Sequence, residues 1–407
     1  MRVFAPLVLA LAACGPVSTP GSVSIATDFE GGCLGTIEQA SETTFRCAVP
    51  GQADHEGRNR QASWYYFRVD GAKNREVTIV LTGLKGEYNY KAAPACIRED
   101  TPPVVSGDGT SWRHLDRITV DGNEATLRFT PDSDAFWVAH IEPYTVSRLE
   151  RFLQEVKGLC SGTTCCDDRI IGKSVEGRDL HLLEIQEISG TLPVPKRAVW
   201  LMCRQHAWET GTSFVAEGAI RFLLSEAGRP LLRDRIFEIL PMMDPDGCAR
   251  GGVRFNRNGY DLNRNWDTAD PADPGSRTLM PEICAAKKVL LETPGCFLTL
   301  HNQETGEWLS GSQTHREFAD RFFSALRDET TFDPSERGPR PPMDKIDPGR
   351  ASVYEYLDRE QNVPAFLIEQ GITKGKKLGH LPTSQDRREF GRQLIQVWAK
   401  QALEKSP

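Results

Sequence analysis

The 407-residue chain has no run approaching the ~20 consecutive apolar residues that a membrane-spanning helix needs. It has no basic excess either: 49 Lys plus Arg stand against 56 Asp plus Glu, a formal net charge of −7. A general nucleic-acid binder needs a basic face to meet phosphates, so no nucleic-acid partner is expected. No Cys-x-x-Cys pair occurs among the eleven cysteines, which removes a structural zinc knuckle. Internal repeats and low-complexity blocks are also missing. What is there is 39% hydrophobic and 26% charged, a mixture that can bury a sizeable core and excludes a disordered or collagen-like chain. Histidine is scarce, eight in all, so few positions compete for the role of a metal ligand.

The first residues read as a targeting segment. Arg2 precedes an apolar run from Val3 to Ala13, too short to span a bilayer but suited to a signal-peptide core. Leu11-Ala12-Ala13-Cys14 resembles a bacterial lipobox, after which the cysteine is lipidated; ordinary cleavage nearby is the alternative, and both export the protein. Residues 1–13 are then a signal peptide and 14–27 a tether, with the lipid on Cys14 as the membrane contact. The ten remaining cysteines suit the disulfides of an oxidising compartment. Cys33 and Cys47 are near enough in sequence to close one local loop, whereas Cys203 and Cys248 read equally well as buried thiols.

From 28 to 145 the signals are short β-branched and aromatic runs punctuated by turns. Trp64–Val69, Val77–Leu81, Ala125–Phe129 and Phe136–Ala139 alternate with Gly71, Gly83, Gly86, Asp121-Gly122 and Pro131-Asp132. No helical period intervenes, which predicts a small β-sandwich domain. The texture changes at 146. Ser147 is placed to cap a helix through Leu149, Phe152, Leu153 and Val156. Apolar strands then alternate with helical segments: a strand over 198–203, a helix near 214–224, and strands over 236–240, 297–300 and 366–368. The alternation predicts an α/β layer fold over 146–407, with chemistry at the strand ends.

The strand-end residues carry that chemistry. His206 and Glu209, three apart just after the strand ending at Cys203, can hold one metal ion between them. Two such ligands plus a distant third leave a zinc position open for water. The pair alone could equally be a surface His and Glu. His301, closing Phe297-Leu298-Thr299-Leu300, is the available third ligand, against the alternative of a buried core histidine.

A second cluster, Asp244-Pro245-Asp246-Gly247, then Arg254, then Asp261-Leu262-Asn263-Arg264-Asn265-Trp266-Asp267, resembles the zinc carboxypeptidases of the carboxypeptidase A superfamily. His206, Glu209, Arg254, Asn263, Arg264, His301 and Glu369 follow one another in that family's order. Tyr65–Val69 and Pro143-Tyr144-Thr145 are similar to its cytosolic carboxypeptidase branch, which carries a β-sandwich ahead of the catalytic domain and includes tubulin deglutamylases. The resemblance implies a central mixed β-sheet with flanking helices, and one zinc ion on His206, Glu209 and His301. It also implies Glu369 as general base and Arg254 as an oxyanion stabiliser beside the metal. Asn263 and Arg264 are implied to grip the C-terminal carboxylate of a peptide or protein substrate. Asp347-Pro348-Gly349-Arg350 resembles the segment whose arginine faces the terminal side chain, which implies a preference for acidic ends through Arg350.

The chain departs from the family pattern at several positions. Asp244 stands for the usual Asn, Trp208 stands where digestive carboxypeptidases place Arg, and Asn302-Gln303 is an unusual continuation after His301. The catalytic tyrosine is Tyr354, Tyr356 or neither. An exported protein does not meet cytosolic tubulin in its own cell. A zinc-dependent peptidoglycan-peptide amidase or deacylase and a non-catalytic binding lipoprotein are the alternative functions.

Overall fold

The computed structural model describes residues 21–88, 91–160, 164–187, 197–312 and 314–402. The expected signal peptide and Cys14 lie outside the described residues.

The N-terminal part is built from twelve short strands. The first six are β1 (Ser24–Ala26), β2 (Ile37–Gln39), β3 (Thr44–Ala48), β4 (Tyr66–Asp70), β5 (Val77–Thr82) and β6 (Gly86–Tyr88). They are followed by β7 (Lys91–Ala93), β8 (Val104–Ser106), β9 (Arg113–His114), β10 (Thr119–Asp121), β11 (Glu124–Phe129) and β12 (Ala135–Ala139). Two five-stranded sheets form, in the orders β1-β4-β12-β8-β9 and β10-β11-β5-β3-β2, and β6 pairs with β7 as a separate hairpin. Alternate residues of β5 and β11 turn inward, so Ile79, Leu81 and Leu127 meet Phe67, Val69 and Val138 of the other sheet in one apolar core. This period-two burial is the sandwich expected from the strand texture.

Two details correct the sequence reading here. The tether does not extend to 27, because β1 pairs antiparallel with β4 and Val23 is buried in the sandwich core. All ten described cysteines are free thiols, and Cys33 and Cys47 do not pair. Cys47 points into the sandwich interior from β3, while Cys33 bridges Tyr66 at the face turned toward the second domain.

The second part begins with α1 (Val146–Leu159). Thr145, not Ser147, caps it: Thr145 Oγ1 accepts from Arg148 N at 3.2 Å, while Ser147 N donates to the Glu30 carboxylate at 3.1 Å. Next come β13 (Thr164–Lys173), β14 (Asp179–Glu187), β15 (Arg197–Cys203), α2 (Gly211–Leu223), β16 (Arg235–Leu240) and α3 (Pro245–Arg250). The chain continues through α4 (Pro274–Leu279), α5 (Pro281–Glu292), β17 (Gly295–Gln303), β18 (Trp308–Ser310) and α6 (Arg316–Glu329). It ends with α7 (Val353–Glu360), β19 (Ala365–Gly371) and α8 (Ser384–Gln401).

Seven strands make one mixed sheet in the order β13-β14-β16-β15-β17-β19-β18. The central four run parallel, and β14, β13 and β18 are antiparallel to their neighbours. Strands buried on both faces read as continuous apolar runs, which is why β15 shows no polar alternation. Its residues nonetheless divide by parity: Val199, Leu201 and Cys203 face the core under α1, α2, α6 and α8, and Ala198, Trp200 and Met202 face the one under α5 and α7.

Helices α2 and α8 touch backbone to backbone. A Cβ on Gly218 would lie 1.9 Å from the Arg388 carbonyl oxygen, and one on Gly391 would lie 2.0 Å from that of Val215. Since α2 starts at the candidate site, this contact fixes where the site's helix can sit. Gly218→Ala is expected to cost about 1–3 kcal/mol through overpacking, read as a fall in Tm. Gly158→Ala, whose Cβ meets nothing within 4 Å, is the control and should not melt early. Equal melting of the two variants would show that α2 and α8 are not in this contact.

Candidate active site

Three parallel strands deliver the site at their carboxyl ends, the usual place for chemistry in an open α/β sheet. β15 ends at Cys203, directly ahead of His206. β17 carries His301, whose register partner on β19 is Glu369. Between β15 and α2 the chain turns at Arg204, whose φ of +59° is rare for a residue with a side chain. The buried guanidinium stabilises this turn by donating to Tyr144 O at 3.1 Å and Ala207 O at 2.6 Å, with Cys248 Sγ at 2.8 Å.

His206, Glu209 and His301 converge. Their donor atoms all lie within 4.8 Å of one another, and all three side chains are buried. His206 Nδ1 is 2.7 Å from Glu209 Oε1, and His301 Nδ1 is 2.9 Å from Glu209 Oε2. The far nitrogen of each imidazole meets an acceptor. His206 Nε2 donates to Asp261 Oδ1 at 3.0 Å, and His301 Nε2 donates to Gln205 Oε1 at 3.1 Å. Gln205 is itself held, accepting from Thr299 Oγ1 at 2.8 Å and donating to Leu262 O at 2.7 Å. With both protons on Nε2, the two Nδ1 atoms present lone pairs toward each other, 3.2 Å apart. Lone pairs and a carboxylate facing one another without a donor repel, and a bound cation satisfies all three. A donor set of two imidazoles and one carboxylate fits zinc.

Asp261 ties this cluster to the arginines. Its Oδ1 also accepts from Asn263 N at 2.9 Å, and its Oδ2 accepts from Arg254 Nε at 2.7 Å. Burial opposes its charge, but Arg254 and His206 drive its carboxyl well below the ordinary range, so it is an anion. Arg264 donates through Nη1 to Asn263 O at 2.7 Å and through Nη2 to the phenol oxygen of Tyr88 at 3.1 Å. The Arg254 guanidinium lies 5.5 Å from the centre of the same Tyr88 ring. Burial raises the Tyr88 phenol, yet the two guanidinium groups outweigh it and the net shift is downward.

Asn263 is buried. Its Oδ1 accepts from Val353 N at 3.2 Å, so the amide anchors the start of α7 and leaves Nδ2 beside His301. Glu369 stands across from His301 with Oε2 buried and without a hydrogen-bond partner. Burial, reinforced by the charge of Glu209, pushes its carboxyl well above the ordinary range. Tyr88, Trp208, Glu209, Arg254, Glu304 and Glu369 all line one cleft of about 380 Å³ between the two domains.

The remaining expected residues are distributed differently. Arg350 lies on an exposed loop, held to the Asn263–Asp267 segment by Asn265 N donating to Gly349 O and Trp266 N donating to Ala351 O. Tyr356 packs under the Lys287 ammonium, 4.2 Å from its ring centre, on the α5 side of the sheet. Tyr354 is the tyrosine with Arg264 and Ser310 among its electrostatic neighbours. Asp244 is not a cleft residue; it caps α3 by accepting from Gly247 N at 2.9 Å. Sequence reasoning passed over Gln205, Asp261, Tyr88 and Gln52. The first two stood next to named ligands or inside the quoted motif, but the last two come from the other domain with no signal in the spacing.

Comparison with known proteins agrees with this geometry. The zinc carboxypeptidase family profile matches residues 149–356, and the cytosolic carboxypeptidase N-terminal domain profile matches residues 25–141. An uncharacterized protein of Zymomonas mobilis is 28% identical over 288 residues, taking in 70% of this chain and 68% of that one. Cytosolic carboxypeptidase 2 of Danio rerio is 29% identical over 283 residues, with 63% of this chain aligned to 38% of the fish protein. The crystal structure of a metallo-carboxypeptidase from Burkholderia cenocepacia superposes with a TM-score of 0.78 at 23% identity, covering 92% of this chain and 97% of its own. A metallo-carboxypeptidase of Pseudomonas aeruginosa superposes at 0.76 with 21% identity, covering 93% and 98%. At those identities the structures establish a shared fold. With the profile spanning more than half of the sequence, the chain belongs to the zinc carboxypeptidase family.

Proposed function

We propose that the protein removes the C-terminal residue of peptides or proteins by zinc-dependent hydrolysis. The observation that supports this most is one cleft lined by Glu209 of the His206/Glu209/His301 cluster, by Glu369, whose Oε2 has no hydrogen-bond partner, and by Arg254, which shares Tyr88 with Arg264. Zinc bound there supplies Lewis-acid polarisation of the scissile carbonyl and an acidified water.

The protein's own groups do the rest. Glu369 takes a proton from the attacking water and passes it to the leaving amine, a double role that suits a carboxyl that burial raises well above its ordinary range. Arg254 is held through Nε alone among the described side-chain hydrogen bonds, which leaves its terminal nitrogens for the developing oxyanion. Arg264 and the Nδ2 of Asn263 grip the free terminal carboxylate. An internal peptide bond offers no such anion and would leave the cation unpaired, which confines cleavage to chain ends. No observation favours an amidase, and a binding-only protein has no use for the complete ligand set with its base.

Purified protein should carry about one equivalent of zinc, lose activity to a chelator and regain it with zinc. Glu369→Gln should keep the metal and lose turnover by about a hundredfold or more, since an amide cannot accept the proton. Full activity in the metal-free protein, or near-wild-type kcat in the Gln variant, would refute these roles.

Two finer readings belong to the same proposal. The attachment of the Arg350 loop to the clamp segment supports a preference for acidic terminal residues, since a charge-assisted bond of about 1.5–3 kcal/mol favours them roughly tenfold or more. C-terminal Glu should be released faster than Leu or Lys, and Arg350→Ala should collapse that ratio. Faster release of Leu or Lys by the wild type would rule the preference out.

The lipobox-like Leu11-Ala12-Ala13-Cys14 supports export and lipid anchoring in a bacterial cell envelope. A labelled fatty acid should enter the wild type and not Cys14→Ala. Equal labelling of both would overturn the assignment.

A further inference from the structure

We infer that Gln52 of the sandwich domain is a positioning residue for Arg254, which makes that domain a working part of the active site. This inference rests on the role given to Arg254 above. Gln52 Oε1 accepts three consecutive backbone N–H groups, from Val253 at 3.0 Å, Arg254 at 2.7 Å and Phe255 at 2.9 Å. Its Nε2 returns a bond to Phe255 O at 2.7 Å.

Three successive N–H groups aimed at one point belong to neither helix nor strand. A backbone in that shape satisfies its donors only around an acceptor at the centre of the concavity. Here the acceptor is a side chain from about two hundred residues away in sequence. The conformation from which the Arg254 side chain springs is therefore set by Gln52.

The support behind Gln52 is rigid. Its backbone exchanges bonds with Gln61, N to O at 2.9 Å and O from N at 3.1 Å. The neighbouring Arg60 donates to four carbonyls, those of Val49, Pro50, Gly83 and Lys85. It thereby locks the Gln52 loop to the segment that leads into β6 and Tyr88. Farther along, His55 stacks on Tyr260 with ring centres 4.2 Å apart, and His55 N donates to Gly259 O. The 253–261 segment is thus gripped by the sandwich at both ends. From Gln52 the path runs through Arg254 to Asp261 and on to His206, each step one hydrogen bond or backbone unit. A guanidinium that stabilises an oxyanion must stand within a fraction of an ångström of its place, and a 1 Å displacement can cost about a hundredfold.

The test is a double-mutant cycle on the full-length protein with an N-terminally blocked peptide ending in Glu, reading kcat, KM and zinc content. Gln52→Leu removes the acceptor at nearly constant shape, and kcat should fall about tenfold or more with KM within about twofold and zinc unchanged. Gln52→Glu keeps an acceptor at the same reach and should restore kcat to within a few-fold of wild type. In the Arg254→Ala background, Gln52→Leu should cost less than about twofold, because a positioning residue has nothing left to position.

An equal cost in both backgrounds would overturn the inference, as would a wild-type kcat in Gln52→Leu where Arg254→Ala is slow. A harmless Arg254→Ala would remove the role of Arg254 itself, and the inference with it. If Gln52→Leu does not fold, Gln52→Asn, which withdraws the amide by one methylene, takes its place. Gln52→Glu must then outperform Gln52→Asn in kcat, and the reverse order overturns the proposal.

Discussion

The carboxylate of Asp261 is the group on which the site depends. One oxygen fixes the proton of His206 on Nε2, which turns the Nδ1 lone pair toward the metal position. The other holds Arg254, and the backbone N–H of Asn263 completes its shell. A buried anion with three donors stays charged because they outweigh its desolvation. Removing it would release both His206 of the candidate metal cluster and Arg254, so the cluster and the arginine share one anchor. Gln205 is the counterpart for His301, but its neutral amide carries no charge into the cluster. Each imidazole therefore has its tautomer set from outside the ligand shell, one by an anion and one by an amide.

The sheet supplies the precision that these contacts need. His301 and Glu369 sit opposite one another on adjacent parallel strands, so their separation is a property of the ladder rather than of a loop. His206 and Glu209 are set by a left-handed turn at Arg204, a strained conformation stabilised by a buried guanidinium on the Tyr144 and Ala207 carbonyls and the Cys248 sulfur. Where the chain must leave regular geometry to aim a ligand, a buried cation holds the departure in place.

The legibility of this arrangement in the sequence followed the range of the interactions. The long, mostly apolar runs at 198–203, 297–300 and 366–368 announced the strands because a doubly buried strand carries few polar residues. The ligand set could be read because His206, Glu209 and His301 fall in the order of the zinc carboxypeptidases together with the 244–247 and 261–267 motifs, where the His206/Glu209 spacing alone was ambiguous. Local competition was harder to read. Thr145 and Ser147 are both good caps, and the choice fell to Thr145 because the Ser147 N–H is taken by Glu30, more than a hundred residues away. The paired-cysteine expectation failed for a similar reason. Cys47 takes its direction from the β3 pleat, which points it into the sandwich, and parity along a strand outweighs proximity in sequence. Gln52 and Tyr88 left no sequence signal at all, since their function exists only once two domains have docked.

That docking combines an apolar seam with polar contacts of high specificity. Trp64, Tyr66, Val104 and Ala139 of the sandwich share a buried cluster with Trp208, Val253 and Ile372 of the second domain. Domains joined by small polar interfaces move relative to one another by default, and an apolar seam of this kind opposes such motion. The apolar part supplies attraction without register, because burial is non-directional. Register comes from the amide of Gln52 and the phenol of Tyr88, each of which meets its partners in one geometry only. Val253 belongs to both sets, packed in the seam through its side chain and bonded to Gln52 through its N–H. The residue beside it is Arg254, so the force that holds the domains together also acts on the backbone of that arginine. A substitution at Val253 in the seam then reaches Arg254 through one peptide unit, while His206 hangs from the opposite end of the Asp261 bridge.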